Sequence, residues 1–169
     1  DKINDDSSSL TQSRITILSE SNSWLNAFLP ELIRGLWQRG HVVRWIHSSK
    51  LLSQGDVCLL LGCGQILTPQ ELNKHKHNLV VHESDLPKGQ GWSPMTWQII
   101  EGATSIPVTL IEASQVLDAG QIYLQSLIEL DSTELVDEWR VKQATATFDL
   151  CLDWFDRYHK VVNNAKNHI

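Results

Sequence analysis

The run "DVCLLLG", Asp56 to Gly62, carries Val57 through Leu61 without a polar interruption. A strand wet on one side alternates apolar and polar residues. An unbroken run of this length suits a strand covered on both faces, as in sheets whose parallel strands are joined by helical crossovers. The rest of the chain supplies those crossovers. "RITILSE", "HVVRWIHS", "NLVVHE", "IPVTLIEA" and "QIYLQSLIEL" read as further strands. Between the first two, "WLNAFLPELIRGLWQRG" sets Leu25, Phe28, Leu29, Leu32, Ile33 and Leu36 at helical spacing. Pro30 falls either in the first turns or at a kink, and Gly40 is a stop signal.

Thr68-Pro69 and Ser93-Pro94 each read as a cap followed by proline at the first helical position. A single long helical pattern runs from Ser132-Thr133 to Val162, with Trp139, Trp154 and Phe155 as core residues. Strands alternating with helices imply an α/β fold: one mainly parallel, twisted sheet flanked by helices, in a single domain. Residues 1–13, polar and serine-rich, read as a flexible leader, and residues 14–169 as the folded unit.

The formal net charge of −6 excludes a non-specific nucleic-acid binder, which needs a basic footprint. Cys58, Cys63 and Cys151 have no paired spacing and sit in apolar surroundings, as buried thiols of a reducing compartment do. No run has the length of a membrane span, and a cytoplasmic location is the default expectation. "HKH" (His75 to His77) is expected to be solvated at the end of a polar helix rather than to ligate metal.

In parallel sheets ligands bind beyond the carboxyl ends of the strands, and His82 closes the apolar run "NLVVH" there. Two more loops follow strands. "LGCGQILTP" contains two glycines, and "EASQVLDAG" places Asp118 before Ala-Gly, small residues that let backbone approach a ligand closely. A histidine, a carboxylate and exposed backbone on three loops make a candidate pocket.

These same residues carry a family resemblance. "GQILTP", "VHESDLP", "VTL" and "LDAG" together resemble the folate-dependent formyltransferases, a family that includes glycinamide ribonucleotide transformylase, methionyl-tRNA formyltransferase and the nucleotide-sugar N-formyltransferases. The resemblance spans about Arg14 to Val161. It is densest from Leu61 to Tyr123, and "HESDLPKGQGWSP" is closest to members that formylate nucleotide-linked amino sugars of the pseudaminic-acid type.

The resemblance implies a Rossmann-like formyltransferase domain with 10-formyltetrahydrofolate as formyl donor, a small-molecule amine as acceptor, and neither metal nor nucleic acid. His82 and Asp118 take the catalytic positions. The pteridine end of the donor falls on Cys63, Gly64, Gln65, Ile66 and Leu67, and on Glu112, Ala113, Val116 and Leu117. Ser84, Lys88 and Trp92 are the candidate acceptor contacts. Trp92 would either stack on a sugar or base or simply pack.

One departure is plain. The asparagine the family keeps two residues before its histidine is Val80 here, on the same strand face as His82. Asn78 shares that face but stands about 13 Å from His82 along an extended strand. The oxyanion donor would then be Ser84 or a backbone N–H. The rival expectation is a non-catalytic folate- or nucleotide-binding module whose site has lost its asparagine.

Overall fold

A computed structural model describes residues 8–83, 86, 94–116 and 119–165. Among these residues six strands form one sheet: β1 (Arg14–Leu18), β2 (Val42–Ile46), β3 (Gly55–Leu60), β4 (His75–His82), β5 (Ser105–Glu112) and β6 (Ile122–Glu129), in the order β2-β1-β3-β4-β5-β6. β1, β2, β3 and β4 pair in parallel, while β5 runs against both β4 and β6. Only β5 is therefore reversed, and the expected mainly parallel sheet is the one observed.

β3 explains its own sequence. Val57 and Leu59 enter the larger core, under the helices α1 (Leu29–Gln38), α4 (Val136–Asp156) and α5 (Tyr158–Asn163). Cys58 and Leu60 enter a smaller core on the other face with Leu18, Ile46 and Leu67. Both faces are covered, so no polar residue interrupts the run. In α1, Leu29, Leu32 and Leu36 are buried, and Pro30 lies in the first turn, where no helical hydrogen bond is lost. Gly40 ends the segment at φ +83°, a backbone state that glycine enters without steric cost.

Two elements differ from the sequence reading. β4 begins at His75, directly after the one-turn helix α2 (Pro69–Leu72) and ahead of α3 (Pro94–Ile100), so His75 and His77 are buried strand residues and not solvated ones. The His77 ring has a polar partner at each nitrogen, Tyr158 Oη at 2.9 Å and Glu112 Oε1 at 3.2 Å, while His75 has Thr16 Oγ1 at 3.0 Å from Nε2 and a buried Nδ1 with no partner among the described residues.

The long terminal pattern is the second. It starts later than expected because the Asp131 carboxylate captures the N–H and hydroxyl of Thr133 in a turn, with Ser132 at φ +71°. It also breaks at Arg157. There Leu10 N–H donates to Phe155 O, Ser8 Oγ donates to Asp156 O, and His159 N–H donates to Ser8 O. Residues 8–10 of the expected leader thus satisfy the groups that the break exposes.

Candidate functional site

His82 is the last residue of β4 and is buried. Alternation along the strand puts Asn78, Val80 and His82 on the face of the smaller core, and Leu79 and Val81 on the face of the larger one. Across the antiparallel pair, His82 stands opposite Thr109 and Val80 opposite Ile111. Thr109 is itself buried, and its hydroxyl accepts from Gln125 Nε2 at 3.1 Å. Asn78 is committed elsewhere, its Nδ2 donating to Leu72 O at 2.9 Å.

Two clefts open beside this strand end. The first is walled by Leu60, Val80 and Ile111 and rimmed by Cys63, Gly64, Gln65, Ile66, Leu67, Ala113 and Ser114. The loop after β3 and the start of the loop after β5 are thereby brought together, as expected from sequence. Among the described residues the backbone groups of Ile66 and Leu67 make no hydrogen bond to other loop or turn backbone. Apolar walls with free backbone at the rim suit a flat ring that carries hydrogen-bonding edges.

The second cleft lies toward the other face of the sheet, lined by Trp24 and Leu25, by Gln143 and Thr147 of α4, and by Leu61, Gly62, Val81 and Glu83. Leu60 borders both clefts. Val80 faces the first, and Val81 and Glu83 face the second, so the end of β4 that carries His82 is the partition between them. Glu83 is held in place: its Oε1 accepts from Gln143 Nε2 and its backbone carbonyl from Gln98 Nε2, each at 2.7 Å. One turn before Gln143, the Arg140 guanidinium lies 5.4 Å from the centre of the Trp24 ring. Among the described residues it makes no ion pair.

Several sequence-derived candidates take more specific places. The Glu112 side chain turns away from the first cleft. Its Oε1 meets His77, and its Oε2 accepts from Asn78 N–H at 3.1 Å. Burial raises its pKa, against the lowering influence of His77 and the Asn78 N–H. Glu112, expected at the donor site from sequence, is therefore not part of the lining of the first cleft, which its neighbours Ile111 and Ala113 supply. Val116 is exposed, and its N–H and carbonyl are both engaged by Ser114 Oγ. Cys63 is half-buried at the rim; burial raises its thiol pKa, the Gln65 N–H opposes this, and Glu20 adds to it.

Ser84, Lys88, Trp92, Leu117 and Asp118 lie outside the described residues, as does the Ser93 cap. The ends of the Asp118 loop are nevertheless fixed. Ala113 N–H donates to Asn78 O, Glu112 N–H donates to Gln121 O, and a Cβ on Gly120 would stand 1.6 Å from Glu112 O.

The second cleft is what sequence reasoning missed. Trp24, Arg140, Gln143 and Thr147 carry no motif, and helical spacing alone makes the last three look like ordinary α4 packing. Only the preference of tryptophan for pockets hints at Trp24. Among the described residues no group of three or more His, Cys, Asp or Glu could hold a metal ion, and no helix is long and apolar enough to cross a membrane.

Residues 46–149 match the sequence profile of the formyl transferase family. The chain is 34% identical over 80 residues to a methionyl-tRNA formyltransferase of Lachnospira eligens, an alignment covering 47% of this chain and 25% of that protein. Against the curated relatives it matches, the chain spans between 25% and 42% of their length.

Solved structures share the fold. HypX from Aquifex aeolicus, crystallised with tetrahydrofolic acid, superposes with a TM-score of 0.69 at 20% identity, covering 94% of this chain and 29% of that one. A Mycobacterium tuberculosis protein described as a candidate sugar N-formyltransferase gives 0.68 at 21% identity, covering 93% and 72%. The profile match extends over well more than half of the sequence and takes in β3, both loops of the first cleft and His82. The chain belongs to the formyl transferase family.

Proposed function

We propose that this chain transfers a formyl group from 10-formyltetrahydrofolate to the primary amine of a nucleotide-linked amino sugar, with the reaction centred on His82. The observation that carries this reading is the partition. One strand end separates a cleft suited to a flat heteroaromatic donor from a cleft lined by an acidic and an amide side chain. A group that must pass between two bound molecules is best placed at such a boundary.

In this reading the first cleft takes the pteridine through the backbone of Cys63 to Leu67 and of Ala113, against Val80 and Ile111. The second takes the acceptor. Glu83, fixed by Gln143, draws the amine toward the end of β4, and Arg140 on the Trp24 face draws an anionic diphosphate. The amine nitrogen forms a bond to the formyl carbon. His82 donates a hydrogen bond to the formyl oxygen as negative charge gathers on it. Asp118 accepts the proton that the amine loses and passes it on to the folate nitrogen, which leaves as its bond to the carbon breaks.

The sugar substrate has further support in the acidic charge of the chain and in the structural similarity to the candidate sugar N-formyltransferase of Mycobacterium tuberculosis. Methionyl-tRNA is the competing acceptor, because the curated relatives carry that name. A non-catalytic binding module is the reading favoured by Val80. Transfer assays with isotopically labelled formyl donor separate the three. Label should appear on a nucleotide-linked amino sugar and be lost in His82→Ala. Label on methionyl-tRNA alone would move the acceptor assignment, and label on neither, with donor bound, would favour the module.

A further inference from the structure

The segment from Leu61 to Gly64 serves both clefts: Leu61 and Gly62 line the second, Cys63 and Gly64 the first. Glu20, in the loop after β1, grips it on both sides. Its backbone N–H donates to Gly62 O at 3.1 Å, and its Oε1 accepts from Gly64 N–H at 3.0 Å.

The base of that grip is itself fixed. Glu20 O accepts from Asn26 Nδ2 at 2.8 Å and from Ser23 N–H at 3.1 Å. Asn26 Oδ1 in turn accepts from Ser19 Oγ at 2.7 Å, and Trp45 Nε1 donates to the same hydroxyl at 2.8 Å. Gly62 adds a steric reason for the close approach. It sits at φ +62°, and a Cβ there would meet Ser23 Oγ at 2.2 Å. A short glycine-containing loop has many backbone states. A charge-assisted hydrogen bond from Gly64 N–H to an anchored carboxylate selects one of them.

We infer that Glu20 is a positioning residue: its carboxylate, bonded to Gly64 N–H, holds the Cys63–Leu67 loop in the shape that receives the formyl donor. This rests on the assignment of the first cleft to the donor. Glu20 itself is exposed at the rim, so it acts through the loop rather than through the core.

The test compares Glu20→Ala with Glu20→Gln, which keeps a carbonyl oxygen able to accept from Gly64. In Glu20→Ala, amide exchange at Gly64 should quicken and KM for 10-formyltetrahydrofolate should rise about tenfold, the scale of one charge-assisted hydrogen bond. The kcat value, the KM for the acceptor and the melting temperature should stay near native. Glu20→Gln should recover most of the donor affinity and of the Gly64 protection.

Native donor affinity in Glu20→Ala would overturn the inference. Equal impairment in both variants would do the same, since charge and not the bond to Gly64 would then matter. If the unaltered chain fails to bind the folate at all, the donor-site reading itself falls. Gly64 exchange then still decides whether Glu20 orders the loop: faster exchange in Glu20→Ala supports that, and unchanged exchange overturns it.

Discussion

Gly120 passes so close to Glu112 that a Cβ on it would stand 1.6 Å from the Glu112 carbonyl oxygen. The contact fastens the two ends of the loop that carries Asp118, and the fastening is backbone against backbone, so no side chain can yield. Gly120→Ala should therefore destabilise the fold by about 1–3 kcal/mol, as overpacking does, and displace the loop. Urea unfolding should show the loss. Donor binding by the folded fraction should weaken as well, and unchanged stability would mean that the loop can shift at little cost.

Val80 and His82 share one strand face, and Val80 lines the first cleft. Val80→Asn places a carboxamide where a donor to the developing oxyanion is useful. A single such donor contributes about 10²–10³ in rate in a fully organised site. In a site that already works through other groups, the expected gain in kcat is smaller, about tenfold. No gain would indicate that Ser84 or a backbone N–H already fills the place.

Stability should fall on mild acidification. His41 is buried against Phe155, and its Nδ1 accepts from Ser13 N–H at 3.0 Å, which requires an unprotonated nitrogen. Burial first, and Arg39 second, lower its pKa below the ordinary 6.5. Burial also lowers that of His75. Below pH 6.5 the unfolded chain takes up protons that the folded chain refuses. Stability from these rings is thus fully present above that pH and is lost as pH falls toward the folded values. The slope reaches about 1.4 kcal/mol per pH unit for each proton.

Glu112, raised by its burial, contributes with the opposite sign between its folded value and the ordinary 4.5. The clean readout is therefore a comparison of variants. Denaturant midpoints between pH 7.5 and 5.5, a range set by about one unit either side of an ordinary histidine, should fall less in His41→Gln than in the native chain. Parallel slopes would contradict the account.

The thiols give a footprint of the first cleft. Cys58 and Cys151 are buried, and their pKa values are pushed up to about 12. Cys63 is raised less and stands at the cleft rim. Alkylation of the native fold should proceed slowly and at Cys63 alone, and a folate in the cleft should slow it further. Mass analysis of the modified peptide reads both effects, and equal labelling with and without folate would remove Cys63 from the donor site.

What was legible in the sequence follows from periodicity. β3 could be read as buried on both faces because each of its residues enters one core or the other. The first cleft was legible because its loops carry motif residues. The start of β4 was not, because His75 and His77 are polar letters, and their burial depends on Thr16, Tyr158 and Glu112, which are distant in sequence. The break at Arg157 was hidden for a similar reason: residues 8–10 take over its backbone groups. The second cleft and the Glu20 grip join segments that carry no pattern of their own, so only the folded chain brings them together.

The proposed function depends above all on the cleft beside His82 receiving a formyl-bearing folate. Calorimetric titration with 5-formyltetrahydrofolate, a stable relative of the donor, tests it directly on the native chain and on Asp118→Ala. Saturable binding by the native chain, weakened by the substitution, is the expected result. No binding at millimolar ligand would contradict it.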